Sequence, residues 1–145
     1  MNVSFTVPGE PVAQGRPRIT TINGRARAFD PKKSRSYKAV VSDRAENAMK
    51  CRAPIEGAVD LSVTAYFTCP KSRHRKRTPR AQEPRVQRPD IDNVVKAIKD
   101  AMTGIVWLDD SQVVRLQALK FTAAQGEPPK VEVIARPFHQ DQTCV

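Results

Sequence analysis

Apolar and polar residues alternate from Asn2 to Val7, with Val3, Phe5 and Val7 on one side and Asn2, Ser4 and Thr6 on the other. A period of two belongs to a strand with one covered face, and Pro8-Gly9 ends it. The alternation returns at Ala58–Thr68, where Val59, Leu61, Val63, Ala65 and Phe67 interleave with mostly polar residues ahead of Pro70. Between these strands the period lengthens. Tyr37, Val40, Val41, Ala45, Ala48 and Met49 recur at helical spacing and predict a helix capped by Ser34 or Ser36, reaching Cys51 and closed off by Ala53-Pro54. A second helical stripe comprises Ile91, Val94, Val95, Ile98, Ala101, Met102 and Ile105, with Asp90 as its N-cap and Gly104 near its end. Asp92, Lys96 and Lys99 occupy the opposite face of that helix.

Asp109-Asp110-Ser111 predicts a turn into a strand from Gln112 to Phe121, and Lys130–Ala135 predicts one more strand after the E-P-P break. The expected order is β-α-β-α-β-β, an α+β fold in which two helices pack on a small mixed sheet. No repeat or linker divides the chain, so residues 1–145 are expected to form one domain with a frayed tail after Pro137. Two stretches lack periodicity. Residues 11–33 are rich in Pro, Gly and Arg and read as a long functional loop, its arginines, Arg16 and Arg18 among them, facing a ligand. Residues 71–88 read as a flexible basic loop carrying Arg73, Arg75, Lys76, Arg77, Arg85 and Arg88.

Charge narrows the partners. Lys and Arg number 25 against 15 Asp and Glu, a formal net charge of +10, which draws polyanions and favours nucleic acid. Cys51, Cys69 and Cys144 are widely spaced, with no C-x-x-C, which argues against a disulfide framework or a zinc finger. No charged leader or long apolar run is present, so a cytoplasmic protein without a membrane partner is expected.

Against this basic background the acids Asp90, Asp92, Asp109 and Asp110 stand out. Taken singly, each has an ordinary explanation: Asp90 and Asp92 as a cap and a first-turn acid, Asp109-Asp110 as a turn. Taken together, they straddle one helix, and the chain can bring three carboxylates to one place. Such a cluster repels itself unless a hard cation is present, and Mg²⁺, with Mn²⁺ as a substitute, takes carboxylate oxygens while leaving positions for phosphate. Lys96, one turn after Asp92, can neutralise charge growing on a phosphate, although an ordinary Asp–Lys surface pair has the same spacing. Arg88 can grip an adjoining phosphate. His74 and His139 are the only histidines, and no P-loop, dinucleotide-binding or nucleophile-elbow motif is present. Trp107, among apolar neighbours, reads as a core or turn anchor.

R-P-D-I-D-N-V-V-K-A-I-K-D-A-M at Arg88–Met102, followed by W-L-D-D-S-Q-V-V at Trp107–Val114, resembles the signature of the RusA family of Holliday-junction resolvases of phages and prophages. The likeness extends more loosely to Q-G-R-P-R at Gln14–Arg18 and F-D-P-K-K-S-R-S-Y-K at Phe29–Lys38. It implies a small α+β homodimer that uses Mg²⁺ to cut opposed strands of four-way or branched DNA in recombination and repair. It further implies that Asp90, Asp92 and Asp110 are the catalytic and metal-binding carboxylates and Lys96 the catalytic lysine. Asp109 falls on the dispensable partner of the second acidic pair, while Asn93 and Asp100 match recurring positions. A non-catalytic nucleic-acid-binding module and a metal-dependent ribonuclease remain the alternative readings.

Overall fold

The computed structural model describes residues 1–16, 18–29 and 31–140. Its elements run β1 (Val3–Pro8), β2 (Arg18–Ile22), β3 (Arg25–Phe29), α1 (Lys32–Met49), β4 (Val59–Phe67), β5 (Glu83–Pro84), α2 (Ile91–Met102), β6 (Val113–Thr122) and β7 (Lys130–Pro137). Short 3-10 turns occupy Lys71–Arg73 and Asp110–Gln112. Five strands form one mixed sheet in the order β1-β7-β4-β6-β5, and β2 and β3 form a separate two-stranded ribbon. β4 runs parallel to β6 and antiparallel to β7. A parallel pair cannot be joined by a tight turn, and α2 lies within the crossover between its strands.

β4 shows why the sheet takes this layout. Val59, Leu61, Val63, Ala65 and Phe67 are all buried at alternate positions, so one face of the central strand is a continuous apolar strip. α1 buries Tyr37, Val41, Ala45 and Met49, and α2 buries Val94, Val95, Ile98, Ala101 and Met102 in the same core. Fully burying one such aliphatic side chain contributes about 1.5–3 kcal/mol, and the two helical stripes supply most of that gain outside the sheet. The α+β architecture of two helices on a mixed sheet is therefore as expected.

Several local expectations are corrected. Residues 11–33 are not a plain loop: Asn23 (φ 52°) and Gly24 (φ 74°) join β2 to β3 as a tight hairpin. Asn-Gly favours this turn because both residues tolerate positive φ, which matches the strand twist. Neither Ser34 nor Ser36 caps α1, which starts at Lys32 behind Pro31 with no side-chain cap bond. Ser34 is buried instead, where its Oγ accepts from Gly15 N at 3.0 Å and lies 3.4 Å from Ala13 O. The helix ends at Met49 rather than Cys51, because Lys50 and Cys51 both turn into positive φ, at 51° and 61°. Gln112 belongs to a 3-10 turn, so β6 begins one residue later than expected.

The basic loop, expected to be flexible, is tied by specific bonds. Gln125 Oε1 accepts from Arg75 N at 2.9 Å and Arg80 N at 3.2 Å, and β5 pairs with the end of β6. Beyond β7, Phe138 N donates to Ala58 O at 2.9 Å, so the chain is tied past Pro137. Of the tail expected to fray, residues 141–145, Cys144 included, lie outside the described residues. Among the described residues no helix is long and apolar enough to cross a membrane.

Candidate active site

α2 divides its residues by face. Val94, Val95, Ile98, Ala101 and Met102 turn into the core, which leaves Asp92, Lys96, Lys99 and Asp100 along the border with β6. There the helix and strand leave a cleft of about 460 Å³. Ile91, Val95, Leu116 and Ala118 give it apolar walls, and Asp92, Lys96, Lys99, Asp100 and Asp110 supply its charged groups. Among the described residues β6 is paired on its outer side at Phe121–Thr122, by β5, and Lys120 O accepts from Arg85 N at 3.1 Å, so the first part of the strand, beside the cleft, presents an open edge. Asp100 is further joined to α1 by Lys38 Nζ at 3.4 Å.

The two adjacent aspartates after α2 do different work. Asp109 closes a capping box: its Oδ1 accepts from Ser111 N at 2.9 Å, while Gln112 Oε1 accepts from Asp109 N at 2.9 Å. The Ser111 hydrogen bonds hold its carboxyl below the usual carboxylate range. Gln112 Nε2 then donates to Ile55 O and Gly57 O, at 2.8 and 2.9 Å, which ties the turn to the start of β4. Asp110 points elsewhere. Its Oδ1 lies 2.5 Å from Thr103 Oγ1 and accepts from Trp107 Nε1 at 3.2 Å. Trp107 is fully buried, so its indole N–H requires an acceptor, and Thr103 and Asp110 provide one each. Trp107 is thus the core anchor expected and also a clamp on a carboxylate.

Asp90 occupies the N-cap position of α2, but its side chain makes no capping bond. The ordinary explanation for an acid at this position is therefore unused here. Asp90 is exposed and does not line the cleft, although it stands just ahead of Ile91, which does. The approach to it is fixed by Lys120 of β6, whose Nζ donates to Gln87 O at 2.8 Å and Pro89 O at 2.7 Å.

Among the expected DNA contacts, Arg16, Arg75, Lys76, Arg77 and Arg88 are exposed. Arg73 pairs with Glu83 at 2.6 Å. Arg85 stacks its guanidinium 4.3 Å from the Phe67 ring and donates to Arg88 O at 2.8 Å, so both are engaged within the fold. Arg18 opens β2, and its side chain lies outside the described part of the structure. Thr103 and Lys120 were not singled out from the sequence. The spacing Thr103-x-x-x-Trp107-x-x-Asp110 is a signal in hindsight, whereas nothing local marks Lys120, whose partners are 31 and 33 residues away.

The donor chemistry suits a hard cation. Carboxylates are the acidic groups of the cleft, and neither His nor Cys lines it. Among the described residues no group of His, Cys, Asp or Glu side chains converges into a ready-made cage of three or more. Mg²⁺ does not need one, since it is commonly held by one or two carboxylates together with water and substrate phosphate. Asp92 and Asp110 are the carboxylates on this cleft that would hold such an ion together with Asp100 nearby.

Carboxylates and lysines on an open cleft of a strongly basic α+β protein define a class of site suited to anionic substrates. The chain belongs to the RusA endodeoxyribonuclease family, whose model matches residues 8–135. It is 40% identical over 139 residues to the Bacillus subtilis (strain 168) protein YqaN, itself uncharacterized, covering 92% of this chain and 95% of that one. It is 26% identical over 133 residues to the crossover junction endodeoxyribonuclease rusA of Lactococcus phage r1t, covering 89% and 92% of the two chains.

Proposed function

We propose that this chain is a Mg²⁺-dependent, structure-selective endodeoxyribonuclease that resolves Holliday junctions and related branched DNA by paired symmetric nicks. The observation that carries the reading is the division of labour between Asp109 and Asp110. One is consumed by a cap, while the other is clamped by Thr103 and Trp107 at a cleft shared with Asp92 and Lys96.

In this reading Asp92 and Asp110 would hold Mg²⁺, and Asp90, at the head of α2, would be the third carboxylate available to it. When bound, the ion supplies Lewis acidity at the phosphoryl oxygens and lowers the barrier to attack by water. Thr103 and Trp107 keep Asp110 in place before substrate arrives, so little reorganisation is needed at the moment of reaction. Lys96 puts positive charge beside the phosphate as negative charge builds in the transition state. Arg75, Lys76, Arg77, Arg88 and Arg16 engage the DNA backbone, and the net charge of +10 draws it in.

The working unit in this proposal is a homodimer. Among the described residues one chain shows one such cleft, whereas resolving a four-way junction requires two cuts related by two-fold symmetry, which a closed dimer supplies. The open edge of β6 beside the cleft is consistent with a further strand or chain lying there.

The test is incubation of the purified protein with a synthetic four-way junction and Mg²⁺, beside linear duplex, structured RNA and a chelated control. Symmetric nicking of the junction that requires the metal is expected. Binding without cutting at any Mg²⁺ or Mn²⁺ concentration, or preferential cutting of RNA, overturns the proposal.

A further inference from the structure

The ribbon formed by β2 and β3 is surplus to the core. Ile19 is 78% exposed, all of β3 is exposed, and none of the ribbon's described side chains belongs to the buried cluster. A lone two-stranded hairpin is marginal in water, so a projecting ribbon of this kind calls for a surface to lie against. Its register shows what kind. Ile22 pairs with Arg25 and Thr20 with Arg27, so these side chains share one face with Phe29, while Ile19, Thr21, Ala26 and Ala28 share the other. Arg25 and Arg27 thus fall on a single face, and the opposite face carries no charge.

The ribbon is also anchored beside the cleft. At its base Gln14 N donates to Asn93 O at 3.0 Å, in the first turn of α2 next to Asp92. Gly15 N donates to Ser34 Oγ of α1, and a Cβ on Gly15 would lie 2.8 Å from Pro31 Cγ, so only glycine lets the two feet of the ribbon close together. Each ribbon strand has five residues and reaches about 17 Å, or roughly 5 base pairs of duplex.

We infer that β2–β3 is a DNA-binding arm that lies along a duplex leading into the cleft, with Arg25 and Arg27 on its phosphates. The inference rests on the nuclease reading above. The major groove is wide enough for a two-stranded ribbon, and two arginines on one face, with Ile22 beside Arg25 at the tip and Phe29 beyond Arg27 at the base, match a surface of phosphates bordering thymine methyls and sugars. A second copy of this chain could instead cover the uncharged face, but it would leave both arginines without a counter-charge, so duplex DNA is the better match.

The experiment measures binding of the full chain to a four-way junction and to linear duplex by fluorescence anisotropy across a salt series in Ca²⁺, which suppresses turnover. Arg25→Gln/Arg27→Gln is compared with the parent and with Arg25→Lys/Arg27→Lys. Both pairs are at exposed positions, and circular dichroism checks their folding. Two lost phosphate contacts lower the magnitude of the slope of log K against log salt by about 1.8, and the lysine pair restores it. A parent that binds DNA with a slope the glutamine pair leaves unchanged overturns the arm while leaving the nuclease reading intact. An unchanged slope with an altered molar mass by light scattering overturns it in favour of a contact between copies. A parent that binds no DNA overturns the nuclease reading and the arm with it.

Discussion

Thr103 Oγ1 stands 2.5 Å from Asp110 Oδ1, which links the residue that ends α2 to the acid that opens the 3-10 turn before β6. The hydroxyl also lies 2.9 Å from Lys99 O, but its one proton serves the shorter contact, to the charged acceptor. Removing the hydroxyl without changing the side chain's shape tests what this contact does. Thr103→Val should still bind junction DNA and should cut on the order of 10–100-fold more slowly at low Mg²⁺, as is usual when a residue that orients a metal ligand is lost. Excess Mg²⁺ should recover part of the rate, and Thr103→Ser should recover most of it. Equal Mg²⁺ dependence in parent and Thr103→Val protein would mean that the contact serves only the fold.

The neighbouring aspartates should separate by function. Asp110→Asn removes a negative oxygen from the cleft, so cleavage should fall below detection while junction binding is kept or strengthened by reduced repulsion of phosphate. Asp92→Asn and Asp90→Asn should behave alike. Asp109→Asn should cut at close to the parent rate, since its carboxylate is committed to Ser111. A severe cleavage defect in Asp109→Asn alongside an active Asp110→Asn protein would reverse the assignment.

Asp109 has its own signature in stability. Its carboxyl titrates below the ordinary value of 3.8 in the folded state, so the folded state binds fewer protons than the unfolded chain in that region. Its contribution is therefore present above the unfolded value and is lost as pH falls through the lower folded one. The urea midpoint of the parent should exceed that of Asp109→Ala at pH 7, and the gap should narrow toward pH 3. A gap that stays constant across that range would assign the effect to something other than the carboxylate's charge.

How much of this could be read from the chain follows from how local each cause is. The strip Val59, Leu61, Val63, Ala65, Phe67 and the stripe Val94, Val95, Ile98, Met102 repeat at short range, so β4 and α2 were legible. The β2–β3 hairpin was missed although Asn23-Gly24 marks it, because arginines and threonines obscure the usual alternation of its flanks. Ser34 misled because a helix cap and a tertiary anchor require the same hydroxyl, and only the fold reveals that Gly15 lies beside it. In the site, helix periodicity plus one turn led to the expectation that Asp90, Asp92 and Asp110 meet; Asp92 and Asp110 share the cleft with Lys96, whereas Asp90 stands outside it. The clamp by Thr103 and Trp107 depends on how the chain folds back after Met102, which no periodicity records.

Lys96 should act on rate rather than affinity. It lies on the cleft one turn from Asp92, and losing one charge-stabilising contact in a transition state costs on the order of 10²–10³ in rate. Lys96→Ala should bind the junction like the parent and show that deficit in single-turnover cleavage at saturating DNA. A full rate there would reduce Lys96 to a surface partner of Asp92.

Dimer function can be read from mixtures. If each chain makes one of the two symmetric nicks, a heterodimer of parent and Asp92→Asn chains retains one working cleft, while binding of the junction still engages both. Parent protein mixed with excess Asp92→Asn and refolded together should therefore accumulate junctions nicked on one strand only, and resolved duplex should fall with the square of the parent fraction. Capillary electrophoresis with differently labelled strands measures both quantities in one sample, and light scattering of the protein on junction DNA gives the number of chains bound. Resolved product that falls in simple proportion to parent protein, together with one chain per junction, would show that a single cleft makes both cuts in turn.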